Sequence, residues 1–197
     1  MASPRVEALL DEAEAEFASA GFDNGSLRKI MRQAGVDPGA VHYHFGGREA
    51  LAAVVLDRLL APLNARRLEL LEAAVANGRP GAPQLVEALI RPDIEAAHAL
   101  HAQSPGRARL IGAIYARPAD FVATTVASQF APVADAFRPH LEAALPHVAF
   151  DDIAWRIRWC VFGPVGALLT DESAAFARPA DDLVEELART LSAALAA

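Results

Sequence analysis

The sequence predicts an all-α protein: a three-helix N-terminal unit followed by a longer helical bundle. Three observations carry this. Strand-like alternation is almost absent. Apolar residues recur at spacings of three and four through most of the chain. The 13 prolines and 12 glycines mostly punctuate those runs. Hydrophobic residues make up 53% of the 197 and charged residues 22%, enough for a sizeable core and incompatible with a disordered chain. No apolar run reaches the roughly 18 residues that span a bilayer. The segment "MASPRVEALLDEAEAEF" carries acids where a signal peptide would carry a basic patch and an apolar block. Cys160 is the only cysteine, which excludes an intrachain disulfide and fits a reducing compartment. The expectation is a cytoplasmic protein without membrane contact.

The first helix places Val6, Leu9, Leu10, Ala13 and Phe17 on one face and its acids on the other. Gly21 supplies a left-handed stop, Phe22 folds back onto the helix, and residues 23–25 form a turn. Ser26 reads as the N-cap of a short helix with Leu27, Ile30, Met31 and Ala34 inward and Arg28, Lys29 and Arg32 outward. Gly35 opens a tight turn. Asp37 caps a third, brief helix with Pro38 at its first position, ending by Gly46–Gly47. A long helix follows from Arg48 to about Ala76, with Pro62 inside it. After the loop at 77–83, helices are expected near 84–102, 106–116, 119–145 (bent or split at Pro132 and Pro139), 151–170 and 180–195.

Charge is distributed unevenly. The net charge is −7. Yet between Asn24 and Arg48 the cations Arg28, Lys29, Arg32 and Arg48 face Asp37 alone, with His42 and His44 beside them. Two short helices joined by a glycine-containing turn form a helix-turn-helix, whose second helix enters the major groove of DNA. Pro38, Gly39 and Ala40 keep the leading end of that helix slim, and Ala40 can touch a thymine methyl group. Among His42, Tyr43 and His44, one or two reach phosphates while Phe45 turns inward. Arg48 faces a phosphate at the start of the long helix.

The stretch "SLRKIMRQAGVDPGAVHYHFGGREAL" (26–51), preceded by "ALLDEAEAEFASAGFDNG", resembles the helix-turn-helix of TetR-type transcriptional regulators. The resemblance covers roughly residues 5 to 55. It implies a homodimeric regulator with a DNA-binding domain at 1–50 and a regulatory and dimerisation domain at 51–197. Its expected function is ligand-responsive repression on a near-palindromic operator. The alternative is a small-molecule-binding or scaffold protein of the same architecture that reads no DNA sequence. Carried over by position, Ser26 and Arg28 contact backbone or base, and Lys29 belongs to the same cationic face. Pro38, Gly39, Ala40 and His42 lie along the groove, Tyr43 and His44 meet phosphates, and Arg48 anchors the long helix. Asp37 stands where the family usually has serine; it either caps the helix or accepts from a cytosine amine. Gly46–Gly47 is looser than the usual linker.

In the C-terminal region Tyr115, Phe121, Phe130, Phe137, Trp155, Arg158, Trp159 and Phe162 are candidate pocket residues, and Arg156 is a further polar candidate. Their apolar character points to a small hydrophobic or amphipathic effector. Leu183, Leu187 and Leu191 on the last helix, with Ile157, Val161, Val165 and Leu168 on the helix before it, suggest a four-helix dimer seam. Gly163, Gly166 and Ala167 would let a partner approach closely. His98 and His101 have a metal-compatible spacing but no nearby cysteine, so polar positions beside the pocket or plain surface are the preferred reading. No catalytic constellation, phosphate loop or cofactor motif is evident.

Overall fold

The computed structural model describes residues 4–37, 45–101, 103, 105–116, 120–170 and 176–197. Among these the chain forms α1 (Pro4–Ala20), α2 (Leu27–Ala34), α3 (Arg48–Ala76), α4 (Ala82–His101), α5 (Pro105–Ala116) and α6 (Asp120–Ala144). Then come α7 (Phe150–Arg156), a π-helical segment (Ile157–Phe162), α8 (Gly163–Thr170) and α9 (Ala180–Ala196). The body of the expected third helix, 38–44, lies outside the described residues. No strand occurs among the described residues, and no helix there is long and apolar enough to cross a membrane.

Helix α1 buries Leu9, Leu10, Ala13 and Phe17. It ends where Gly21 adopts φ +79°, and Phe22 returns to stack on Phe17 with ring centroids 5.1 Å apart. Gly25 closes this turn because nothing larger fits: a Cβ there would sit 2.5 Å from the Phe17 ring. The acids of α1 do not all face water, as the sequence pattern suggested. Glu14 and Glu16 are buried, each beside a cation from another element: Glu14 3.3 Å from Arg58 of α3, and Glu16 2.5 Å from Lys29 of α2.

Helix α3 is the longest, 29 residues, or about 43 Å. Its early turns bury Leu51, Ala52, Val55 and Leu56, and its later ones Leu60, Leu63 and Leu71. It packs on α1 at its start and on α4 and α6 further along. Arg58 pins it to α1 through Asp11 at 2.7 Å and Glu14. Helix α6 runs unbroken through Pro132 and Pro139. Both prolines are exposed, so water can take the carbonyls they leave unbonded.

The bundle closes around Arg67. This side chain is fully buried. Its Nε donates to Leu89 O at 2.9 Å and its Nη1 to Asn64 Oδ1 at 2.6 Å. Nη2 donates to Asp93 Oδ2 and lies 3.2 Å from the Tyr115 hydroxyl, which donates to Asp93 Oδ1 at 3.2 Å. The rings of Phe130 and Phe162 flank the guanidinium at 5.7 and 5.3 Å. Burial works against the charge on Arg67, but Asp93 and Tyr115 together offset it and hold the guanidinium's pKa above its ordinary value. Burial raises the Tyr115 hydroxyl pKa, so it stays protonated. One side chain thus binds α3, α4 and α5 together and packs on α6 and the π-helical segment.

Most residues expected at a dimer seam pack inside the chain. Val161, Val165, Leu183 and Leu191 are buried within their own chain, and so is Ile157; Leu168 and Leu187 are half-buried against the same core. An apolar stripe seeks the nearest apolar surface, and here that is the chain's own bundle. Gly166 also serves an internal contact: a Cβ at Gly112 of α5 would lie 2.7 Å from Gly166 O and 2.9 Å from Leu169 Cβ, so α5 and α8 touch backbone to backbone.

Asp93→Ala strands the Arg67 charge in the core and is expected to cost about 3–5 kcal/mol in denaturant unfolding. The apolar pair Arg67→Met with Asp93→Leu is expected to recover most of that loss.

Candidate functional site

The N-terminal unit is assembled from its cap outward. Ser26 N-caps α2: its Oγ accepts from Lys29 N at 3.3 Å. Glu16 Oε1 accepts from Ser26 N at 3.0 Å, while its other oxygen meets Lys29 Nζ. A carboxylate therefore stands at the positive end of α2, where the helix dipole favours it. The Lys29 hydrogen bond, then the Ser26 N–H, hold the Glu16 pKa below its ordinary value against the opposing effect of burial. Gly35 ends α2 with φ +65°. Arg28 and Arg32 remain exposed on the outer face, and Asp37 is exposed beyond it. Lys29 is the cation that differs from expectation: its ammonium is spent on Glu16. Pro38, Gly39, Ala40, His42, Tyr43 and His44 lie outside the described residues; Phe45 packs against the core as expected.

Arg48 Nη1 donates to Phe22 O at 3.0 Å and to Asp23 O. Arg48, expected at a phosphate and as the anchor of the long helix, braces the α1–α2 turn. Phe121, expected in the pocket, reaches the same turn: its ring meets Phe22 edge-on, centroids 6.4 Å apart. The Phe22–Asp23 turn is thus a joint where α1, the start of α3 and the start of α6 converge. Gly106 at the start of α5 faces Ala18, where a Cβ would lie 3.6 Å from the Ala18 Cβ.

A cavity of about 230 Å³ opens in the bundle, just below the ~300 Å³ at which drug-sized sites begin. Tyr115, Phe130, Phe137, Arg158 and Phe162, all expected, line it with Leu89, Ile114, Val126, Leu141, Phe150, Ile157 and the alanines 123, 127, 134 and 154. The small residues spaced along α6 leave the room, a signal visible in the sequence but not read. Tyr115 stacks on Phe162 at 4.9 Å, and Phe130 meets Phe162 edge-on at 5.3 Å. These three rings separate the cavity from the Arg67–Asp93 pair.

Trp155 and Trp159 are not in the cavity. They are 61% and 57% exposed. Residues four apart share a face of a helix. Ala154, Arg158 and Phe162 therefore share the cavity wall, while Trp155 and Trp159 share the outer face. Arg156 turns to α9, donating to Leu195 O at 2.9 Å. His98 and His101 lie against the Phe176 ring, centroids 5.0 and 3.9 Å away. Among the described residues no group of three metal-ligating side chains assembles.

Comparison with known proteins agrees with this geometry. Residues 9–55 match the family model "Bacterial regulatory proteins, tetR family", and residues 87–197 match "Tetracyclin repressor-like, C-terminal domain". The chain is 33% identical over 49 residues to the A-factor receptor protein of Streptomyces griseus; the match covers 25% of this chain and only 18% of that protein. In fold it is similar to the transcriptional regulator FadR from Bacillus subtilis, solved in complex with stearoyl-CoA: TM-score 0.67, 13% identity, 98% of each chain covered. It is also similar to the regulator CifR, solved with a 26-base-pair operator DNA: TM-score 0.63, 17% identity, 97% of this chain and 96% of that one.

Because the Glu16 pKa is depressed in the folded state, its contribution is complete above the ordinary glutamate value of about 4.3 and fades as pH falls below it. An acid titration of folding stability is expected to show this loss, and Glu16→Gln to remove it from the profile.

Proposed function

The chain belongs to the tetR family of bacterial regulatory proteins, and from that premise we propose a ligand-responsive repressor that acts as a cytoplasmic homodimer on a near-palindromic operator. The observation that carries this reading is the joint at Phe22–Asp23. Through it, the helix that positions the reading unit and a helix that lines the cavity share one contact region.

The reading unit spans residues 1–50. Helix α2 serves as its base, with Arg28 and Arg32 turned outward, and Ser26 stands at its capped end. Pro38, Gly39, Ala40 and His42 read the groove, and Tyr43 and His44 grip phosphates. Arg48 and Lys29 act indirectly, by holding the turn and helix that present these residues. Residues 51–197 carry the cavity and the dimer contact. An apolar lining suits a hydrophobic or amphipathic effector, and the stearoyl-CoA bound by the Bacillus subtilis regulator is consistent with that class. The effector acts by its differential affinity for DNA-competent and incompetent shapes.

The dimer contact moves to the outer face of 155–159. Trp155 and Trp159 are the two large aromatic side chains left exposed among the described residues. Two tryptophans one turn apart suit the centre of an isologous interface.

Operator binding is expected to fall steeply with salt, with a log–log slope of about 0.9 per phosphate neutralised. Tyr43→Phe should weaken all duplexes alike, whereas changes at Ala40 should alter base preference; a flat salt response on selected duplexes would contradict the reading. Trp155→Glu with Trp159→Glu is expected to give folded monomers by analytical ultracentrifugation, with operator affinity reduced accordingly. A stable dimer of that variant would place the contact elsewhere.

A further inference from the structure

The cavity is chemically lopsided. Its floor is aromatic: Phe130, Phe162 and the ring of Tyr115, whose hydroxyl is taken up by Asp93 and Arg67 on the far side. Its wall holds Arg158, the one charged side chain among the described lining residues. Several other arginines of the bundle are neutralised or capped. Arg66 pairs with Glu69, Arg91 with Glu87, Glu95 and Asp181, and Arg178 with Glu186. Arg156 donates to a backbone carbonyl. Arg158 differs: it is exposed, its guanidinium carbon lies 5.5 Å from the Trp159 ring centroid, and among the described residues it meets no carboxylate. A second cation lies along the same rim. Arg138 stacks 3.7 Å over Phe150, a lining residue, and its partner Asp135 is an exposed carboxylate 3.7 Å away, a pair of little strength.

We propose that this cavity takes a small amphipathic oxyanion, with its apolar body on Phe130, Phe137 and Phe162 and its carboxylate or phosphate head paired with Arg158. This rests on reading the cavity as the effector site and narrows the effector's class. A guanidinium pairs with either head through parallel N–H···O bonds, and covering by the ligand strengthens that pairing. A cationic head would meet like charge. A neutral head would forgo the one strong interaction the lining offers. The aromatic floor closes the far end, so the body is short.

The test uses the full-length protein and straight-chain probes: octanoate, octyl phosphate, octanol and octylamine. Binding is followed by calorimetry and by the fluorescence of Trp155 and Trp159, the only tryptophans in the chain. Octanoate or octyl phosphate is expected to bind about tenfold or more tightly than octanol, with octylamine weakest. Whichever anion binds better identifies the head. Arg158→Gln should bring the tighter anion level with octanol, and Arg158→Lys should retain part of the gap. Equal binding of octanol and both anions, or an undiminished gap in Arg158→Gln, overturns the head-group assignment and leaves an apolar effector site standing. Binding of none of the four overturns the effector-site reading as well.

Discussion

A guanidinium with no access to water is the constraint around which this bundle is arranged. Removing the charge of Arg67 from solvent costs several kcal/mol unless it is fully paired. The pairing draws on three helices: Asn64 of α3, Leu89 O and Asp93 of α4, and Tyr115 of α5. Such a knot adds little stability over an apolar core of equal volume. It does select one arrangement of those helices, because sliding any of them would strand a charge. The aromatic floor of the cavity lies on this knot, so one end of the cavity is firm. The rim carries more exposed residues, Ala154 and Arg158 among them.

That division gives the molecule a route from cavity to reading unit. Helix α3 carries Arg48 at the joint and Arg67 in the knot, 19 residues and about 28 Å apart. Helix α6 begins at the joint with Phe121 and lines the cavity from Ala123 to Leu141. In the proposed coupling, a movement at the start of α6 would be felt at Phe22, which sits in the turn that Arg48 braces. Packed interfaces of this kind move between discrete arrangements more readily than they deform. Helix α2 is latched by Glu16 to the end of α1, next to this turn.

Local signals were legible in the sequence; long-range ones were not. Arg48 and Ala76 bound α3 as expected, because the Gly46–Gly47 pair and the Asn77–Gly78 turn flank it. Ser26, Gly21 and Gly35 perform the capping roles their chemistry implies. The Arg67–Asp93 pair was invisible, since the partners lie 26 residues apart and each reads as a surface residue on an amphipathic helix. For the same reason Glu14 and Glu16 passed as solvated acids. The pocket was half legible. Phe130, Phe137 and Phe162 line the cavity, but Trp155 and Trp159 fall on the neighbouring outer face, and aromatic bulk alone does not tell the two faces apart. The residues expected at a dimer seam pack mostly within the chain, because an apolar stripe packs against whatever apolar surface lies nearest.

The central claim is that occupancy of the cavity and DNA affinity are coupled through the joint. Its most direct test needs no identified effector. Ala134→Phe fills part of the cavity from α6, and operator affinity of this variant is compared with that of the wild type at one salt concentration. The account predicts a change of about 5- to 150-fold, abolished when Phe121→Ala cuts the contact with Phe22. An unchanged affinity in a folded, cavity-filled protein would contradict it.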